Sequence, residues 1–181
     1  MEGDGPRPLD LESRRRLYHH LVRSPGKFLR ELQRELDWGM GALEHHLDVL
    51  VRDGLVSVVQ DGQKRFFPVE VAHGDRVLLA FLRQDLPRRI LLALAEAGPL
   101  PRIALVDRLD VAPSTLQYHL QRLAAAGVLD AQHEGREAVY ALARTQDVVR
   151  LLVAYRSSFL DRLVDRFLDG VDALGAPRRD D

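Results

Sequence analysis

Six polar side chains fall close together in one segment: Ser114, Thr115, Gln117, Tyr118, Gln121 and Arg122. Leu116 and Leu120 stand between them and Leu123 follows, at helical spacing. A helix over this stretch therefore turns its leucines inward and presents the polar set to solvent. Such a face suits contact with a duplex, not bond-making. Hydroxyls at a helix start hydrogen-bond phosphate, where the helix dipole also favours an anion. A glutamine amide can pair with an adenine edge, and an arginine with guanine or phosphate. Each of these residues alone is an ordinary polar surface group; the surrounding pattern gives the set its weight.

That pattern is a repeat. Displaced by 73 positions, the chain lies over itself without a gap from Arg15/Arg88 to Gly62/Gly135. Identical pairs include Leu21/Leu94, Leu32/Leu105, Leu36/Leu109, Asp37/Asp110, Leu43/Leu116, His46/His119, Leu47/Leu120, Leu50/Leu123 and Gly54/Gly127, and Phe67 lies over Tyr140. In the first copy the spacing predicts helices over 11–23, 27–36 and 41–53, with Asp10 capping the first. Strands over 55–60 and 64–69 follow, turned at Asp61-Gly62. In the second copy helices run to about 97, over 102–109 and 114–126, with Asp85 and Ser114 as caps. Strands over 128–132 and 138–142 follow, turned at Glu134-Gly135. Helix, turn, helix and a two-stranded wing recur in this order. That is a winged helix-turn-helix unit, whose third helix fits a major groove while the wing reaches the neighbouring backbone or minor groove.

The two copies are not equivalent. Where the second has Ser114, Thr115, Gln117, Tyr118, Gln121 and Arg122, the first has Gly41, Ala42, Glu44, His45, Asp48 and Val49. Glu44 and Asp48 would repel phosphate or accept from a cytosine, and His45 is the candidate contact left on that helix. The first wing is the more basic, with Lys64 and Arg65 as anchors, while Arg136 stands at the tip of the second. His46 and His119 recur at one helix position without ligand-spaced partners, so they are expected to be half-buried and bonded to backbone. His19 and His20 receive the same reading.

Composition narrows the rest. The 181 residues carry 26 Lys and Arg against 27 Asp and Glu, for a net charge of -1. A neutral sum weakens, without removing, the case for nucleic acid, because a basic patch can exist on a neutral chain. There is no cysteine, so disulfides, thiolate metal sites and cysteine catalysis are excluded. No apolar run reaches the about 20 residues that span a bilayer. No phosphate loop, dinucleotide fingerprint, nucleophile elbow or metalloprotease motif is present, and Asp107 and Asp110 sit at a helix end where carboxylates stay solvated. The expectation is a non-enzymatic, cytoplasmic, nucleoid-associated protein without cofactor.

Residues 1–9 read as a tail, 10–70 and 84–143 as the two winged domains, 71–83 as a helical connector and 176–181 as a tail. The connector is too apolar for a floppy linker, with Val77, Leu78, Leu79, Phe81 and Leu82. A small effector could lie beside it, although no residue demands one. Residues 144–175 read as one long amphipathic helix. Leu160, Val164, Phe167, Val171 and Leu174 repeat in heptad rhythm, the mark of a homodimerisation helix. The fold class is mostly α with small β wings (α+β): two tandem winged helix-turn-helix domains plus a long C-terminal helix.

Residues 114–123, followed by Ala126-Gly127-Val128-Leu129, resemble the third helix and first wing strand of ArsR-like and MarR-like winged-helix regulators. Residues 41–55 together with Asp61-Gly62-Gln63-Lys64-Arg65-Phe66-Phe67-Pro68 are similar to the first unit of archaeal-type proteins with two such domains in tandem. The resemblance covers roughly residues 10–143. It implies a transcriptional regulator of double-stranded DNA, often dimeric. Metal sensing is not implied, because the Cys or His/Asp sets of the metal-sensing members are absent. The alternative expectation is an adaptor that uses tandem winged helices to dock proteins, favoured by the acidic third helix of the first copy.

Overall fold

The computed structural model describes residues 11–134, 137–159 and 162–175. They form two compact units, one up to Ala80 and one from Phe81 onward. The first contains α1 (Glu12–Arg23), β1 (Lys27–Phe28), α2 (Leu29–Leu36), α3 (Met40–Arg52), β2 (Val56–Asp61) and β3 (Gln63–Pro68). The expected connector is α4 (His73–Leu82), and the division between units falls inside it. The second contains α5 (Asp85–Ala97), β4 (Leu100–Pro101), α6 (Arg102–Leu109), α7 (Pro113–Ala125), β5 (Leu129–Glu134), β6 (Glu137–Leu142), α8 (Thr145–Ala154) and α9 (Arg162–Gly175).

The leucine pattern builds the first core. Leu17 and Leu21 of α1, Leu32 and Leu36 of α2, and Leu43, Leu47 and Leu50 of α3 form one buried cluster with Val56 and Phe66 of the wing. Each buried leucine contributes about 2 kcal/mol of hydrophobic stabilisation, so the stripe is enough to hold α3 against the helices behind it. The equivalent residues Leu94, Leu105, Leu109, Leu116, Leu120 and Leu123 are buried in the second unit.

The turn of each helix-turn-helix has a backbone cause. Asp37 and Asp110, an identical pair of the repeat, both adopt the left-handed conformation, with φ of 55° and 50°. Aspartate tolerates this region better than most residues. One left-handed residue redirects the chain from α2 into α3, and from α6 into α7. The far ends of α3 and α7 close alike. Leu55 N–H donates to Leu50 C=O and Gly54 N–H to Val51 C=O; Val128 and Gly127 do the same to Leu123 and Ala124. This paired closure needs positive φ at the glycine, which is 71° at Gly54 and 68° at Gly127. A side chain at Gly54 would meet nothing within 4 Å, so the penalty there is purely conformational. Gly54→Ala is therefore expected to lower stability by about 1 kcal/mol in a thermal or urea melt, without changing the fold.

Several expected boundaries move. Lys27 and Phe28 are not the start of α2. They pair with Phe66 and Arg65 as the third strand of a sheet ordered β1-β3-β2, and Leu100 and Pro101 do likewise in a sheet ordered β4-β6-β5. The cap of α7 is Ala112, not Ser114, because Pro113 takes the first helical position with its φ already suited to it. Gln84, not Asp85, caps α5; Asp10 lies outside the described residues. The repeat also acquires an extra residue in its second wing. Asp61 faces Gln63 across one residue, whereas Glu134 faces Glu137 across two. Beyond the turn the counterpart of Tyr140 is consequently Phe66, not Phe67, since Tyr140 pairs with Ala131 as Phe66 pairs with Val58.

The C-terminal helix is two helices. α8 ends at Ala154, a short 3-10 turn covers Arg156–Ser158, and α9 starts at Arg162. The interruption is held from a distance. Arg83 donates to the Ser158 carbonyl and hydroxyl, both at 2.7 Å, and lies over the Phe159 ring at 4.3 Å. The Ser158 hydroxyl in turn donates to the Tyr155 carbonyl at 2.7 Å. Serine side chains that take backbone acceptors in this way compete with helix continuation. α9 packs on α5 and α8. Val164, Phe167 and Leu168 are all buried there, so most of the described part of the heptad stripe is covered within its own unit.

Candidate nucleic-acid interface

On α7 the leucines are inside and the polar set is outside. Ser114, Thr115, Tyr118 and Gln121 are exposed and Gln117 is half-buried, while Leu116, Leu120 and Leu123 are fully buried. Tyr118 is 57% exposed, a high value for a large aromatic. Its ring is nevertheless oriented. His119 meets it edge-on at 5.1 Å, and the Arg122 guanidinium lies 5.4 Å from its centroid.

Arg122 departs from the expected free base-reading group. It is half-buried, lies 5.5 Å from the Phe81 ring, and donates a long hydrogen bond of 3.4 Å to Gln84. The cationic group stacked on two aromatic rings positions Tyr118. Its counterpart in the first unit, Val49, is only 7% exposed. This helix position is buried in the first unit and half-buried in the second, and Val49 is not a gap in a binding face.

On α3 the exposed residues are Gly41, Ala42, Glu44, His45 and Asp48, with Arg52 at its C-terminal end. His46 beside them is half-buried against Trp38, ring to ring at 5.8 Å. Its Nδ1 is buried and makes no hydrogen bond, contrary to the expected backbone partner. Burial lowers its pKa, and the nearby charges of His45 and Arg14 lower it further. A neutral ring packed on tryptophan is a core element, not a phosphate contact. His20 is also structural: it bonds Glu35, which accepts from Lys27 as well. Burial by itself would raise the Glu35 pKa, but the bonds from Lys27 and His20 outweigh it and hold the carboxyl below its usual range.

The wing residues separate. Lys64 is exposed at the wing. Arg65, expected beside it as a second anchor, is 5% exposed and points into the unit. Its guanidinium donates to the Gly26 carbonyl at 2.9 Å, stands 4.0 Å from the Glu31 carboxylate, and lies over the Phe28 ring at 5.7 Å. β3 is buried on both faces from Arg65 to Pro68, so Lys64 stays outside because it lies beside the wing turn and Arg65 is the first residue inside the unit. Arg136 lies outside the described residues.

Comparison with known proteins matches this division. Residues 11–79 match a family described as an N-terminal HTH domain, and residues 83–131 match a helix-turn-helix domain family. The chain is a tandem winged helix-turn-helix protein. It is 28% identical over 131 residues to an uncharacterized HTH-type transcriptional regulator of Methanocaldococcus jannaschii, a match covering 71% of this chain and 33% of that one. The chain thus spans about a third of the length of the curated relative it matches. Among solved structures, HlyU from Vibrio cholerae is similar with 25% identity and a TM-score of 0.41, over 46% of this chain and 90% of that chain. Overoxidized AbfR, whose structure is of the DNA-bound form, gives 21% identity and a TM-score of 0.41, over 56% of this chain and 79% of that chain.

Within this tandem winged helix-turn-helix protein the two third helices have opposite character. α7 exposes hydroxyl, amide and phenol groups without a carboxylate, whereas α3 exposes Glu44 and Asp48. Among the described residues no group of three or more His, Asp or Glu is placed to hold a metal ion. No helix among them is long and apolar enough to cross a membrane. The residues that sequence reasoning missed are Phe81 and Gln84, which hold Arg122; they lie about forty positions away, and no local pattern announces them.

Proposed function

We propose that the chain is a DNA-binding transcription regulator in which α7 enters the major groove of duplex DNA. The carrying observation is the exposed row Ser114, Thr115, Tyr118 and Gln121 on a helix whose opposite face is locked by fully buried leucines. Ser114 and Thr115 contact phosphate at the helix start, and Gln117 and Gln121 reach base edges. Tyr118 offers an apolar ring edge to a thymine methyl, held in place by Arg122. Lys64 anchors the first wing on phosphate, and Arg136 has the same role on the second. His45 is the remaining contact from α3. Function on DNA places the protein in the cytoplasm, on the nucleoid.

Selection of bound duplexes from a random-sequence pool at near-physiological salt tests this reading. A recovered motif supports it, and a palindrome adds a homodimer, because half-sites mirror protein symmetry. Such a homodimer through the C-terminal region would need apolar surface other than Val164, Phe167 and Leu168. Absence of any enriched motif overturns sequence-specific regulation. Glu44 and Asp48 on α3 favour a second reading, an adaptor whose first unit docks a basic protein surface. Capture of such a partner, lost on replacing both acids, would support it.

Lys64→Ala is expected to weaken binding to every sequence alike and to reduce the slope of log affinity against log salt by about 1, as loss of one phosphate contact requires. Titrations at several salt concentrations read both effects. A change in the preferred motif instead would show that Lys64 reads bases.

A further inference from the structure

In the second unit α5, α6 and α9 enclose a groove of about 430 Å³, within the range of small-molecule sites. Its floor is apolar: Leu92, Ala93 and Leu109 line it and are buried in the unit. Its rim is cationic: among the described lining residues Arg89, Arg108 and Arg166 face one carboxylate, Glu96. The guanidiniums are partly preorganised. Arg89 donates to the Leu109 carbonyl at the end of α6, at 2.6 Å, and Arg108 is paired with Glu96. Arg166 is exposed and arrives from α9, the helix that follows the interruption after Ser158.

The structure assigns to this groove a small organic anion, a carboxylate carrying an apolar aryl or alkyl body. Three guanidiniums against one carboxylate leave an excess of positive charge among the lining residues, and an arginine fork matches a carboxylate in two parallel hydrogen bonds. The leucine floor sets the remainder of the ligand. Inorganic phosphate would satisfy the arginines but leave the apolar floor without a partner, whereas an apolar body covers it. The position has a structural consequence. α6 is the helix before the Asp110 turn and packs on α7, so an occupant bridging α6 and α9 bears on the element that sets the orientation of α7. Binding itself does not depend on the DNA reading and is measured on the free protein.

Calorimetric titration of the full chain with benzoate, octanoate and inorganic phosphate tests the assignment. Benzoate or octanoate is expected to saturate with a Kd of about 1 mM or tighter, and phosphate to bind at least about tenfold more weakly. Arg166→Gln, at an exposed position, is expected to weaken carboxylate binding at least about tenfold with an unchanged melting temperature. Glu96→Gln removes the internal competitor for Arg108 and is expected to tighten binding several-fold, a gain that misfolding cannot produce. No saturable carboxylate binding, equal affinity for phosphate, or indifference to both substitutions would overturn the proposal.

Discussion

Arg65→Ala is expected to destabilise the first unit by about 3 kcal/mol, because it strips partners from buried groups. The guanidinium serves the Gly26 carbonyl ahead of β1, stands beside Glu31 in the first turn of α2, and covers the Phe28 ring. Glu31 also accepts the Phe28 N–H at 3.0 Å. Removing the cation leaves that carboxylate and the Gly26 carbonyl inside the unit with less to neutralise them. The same site would carry an exposed phosphate anchor's phenotype if the sequence expectation were right: full stability and weaker DNA binding. Urea denaturation of the variant beside Lys64→Ala separates the two. A variant of unchanged stability that loses DNA affinity would show that Arg65 works at the interface, and the clip described here would be wrong.

Thr115→Glu combined with Gln121→Glu should reduce affinity for the selected duplex by at least about a hundredfold, since like charges brought against phosphate cost several kcal/mol. Both positions are exposed. A glutamate in the first turn also suits the helix dipole, so the melting temperature should stay near that of the parent chain. The acids are already present on the other unit. Glu44→Gln with Asp48→Asn therefore serves as the mirror experiment. A gain in DNA affinity from that pair would place α3 against DNA as well, whereas no gain keeps α3 away from the duplex. Retained affinity in the Thr115 and Gln121 variant would remove α7 from the interface altogether.

Much of this fold was legible before the structure because its signals are local. Helical periodicity and leucine spacing place α1, α2 and α3 and their copies within a residue or two. Gly54 and Gly127 mark the ends of α3 and α7 through a conformation that side chains resist. The outward set on α7 follows from the same periodicity, since an inward leucine stripe determines which residues remain outside. The unequal charge of the two third helices is likewise a property of residue types alone.

What only the tertiary structure decided depends on contacts between distant residues. The two-residue strand β1 exists because β3, almost forty positions later, offers Phe66 and Arg65 as partners; alone, Lys27 and Phe28 simply continue a helical pattern. Arg65 turns inward because Gly26, Phe28 and Glu31 wait there, although its neighbour Lys64 is solvated. Arg122 looks solvent-facing by spacing and is half-buried instead, because Phe81 and Gln84 meet its guanidinium beside Tyr118. The long C-terminal helix divides because Arg83 grips Ser158 from 75 positions away. Periodicity determines which face a side chain occupies, but whether that face meets solvent, a ring or a buried carbonyl is set by packing across the chain.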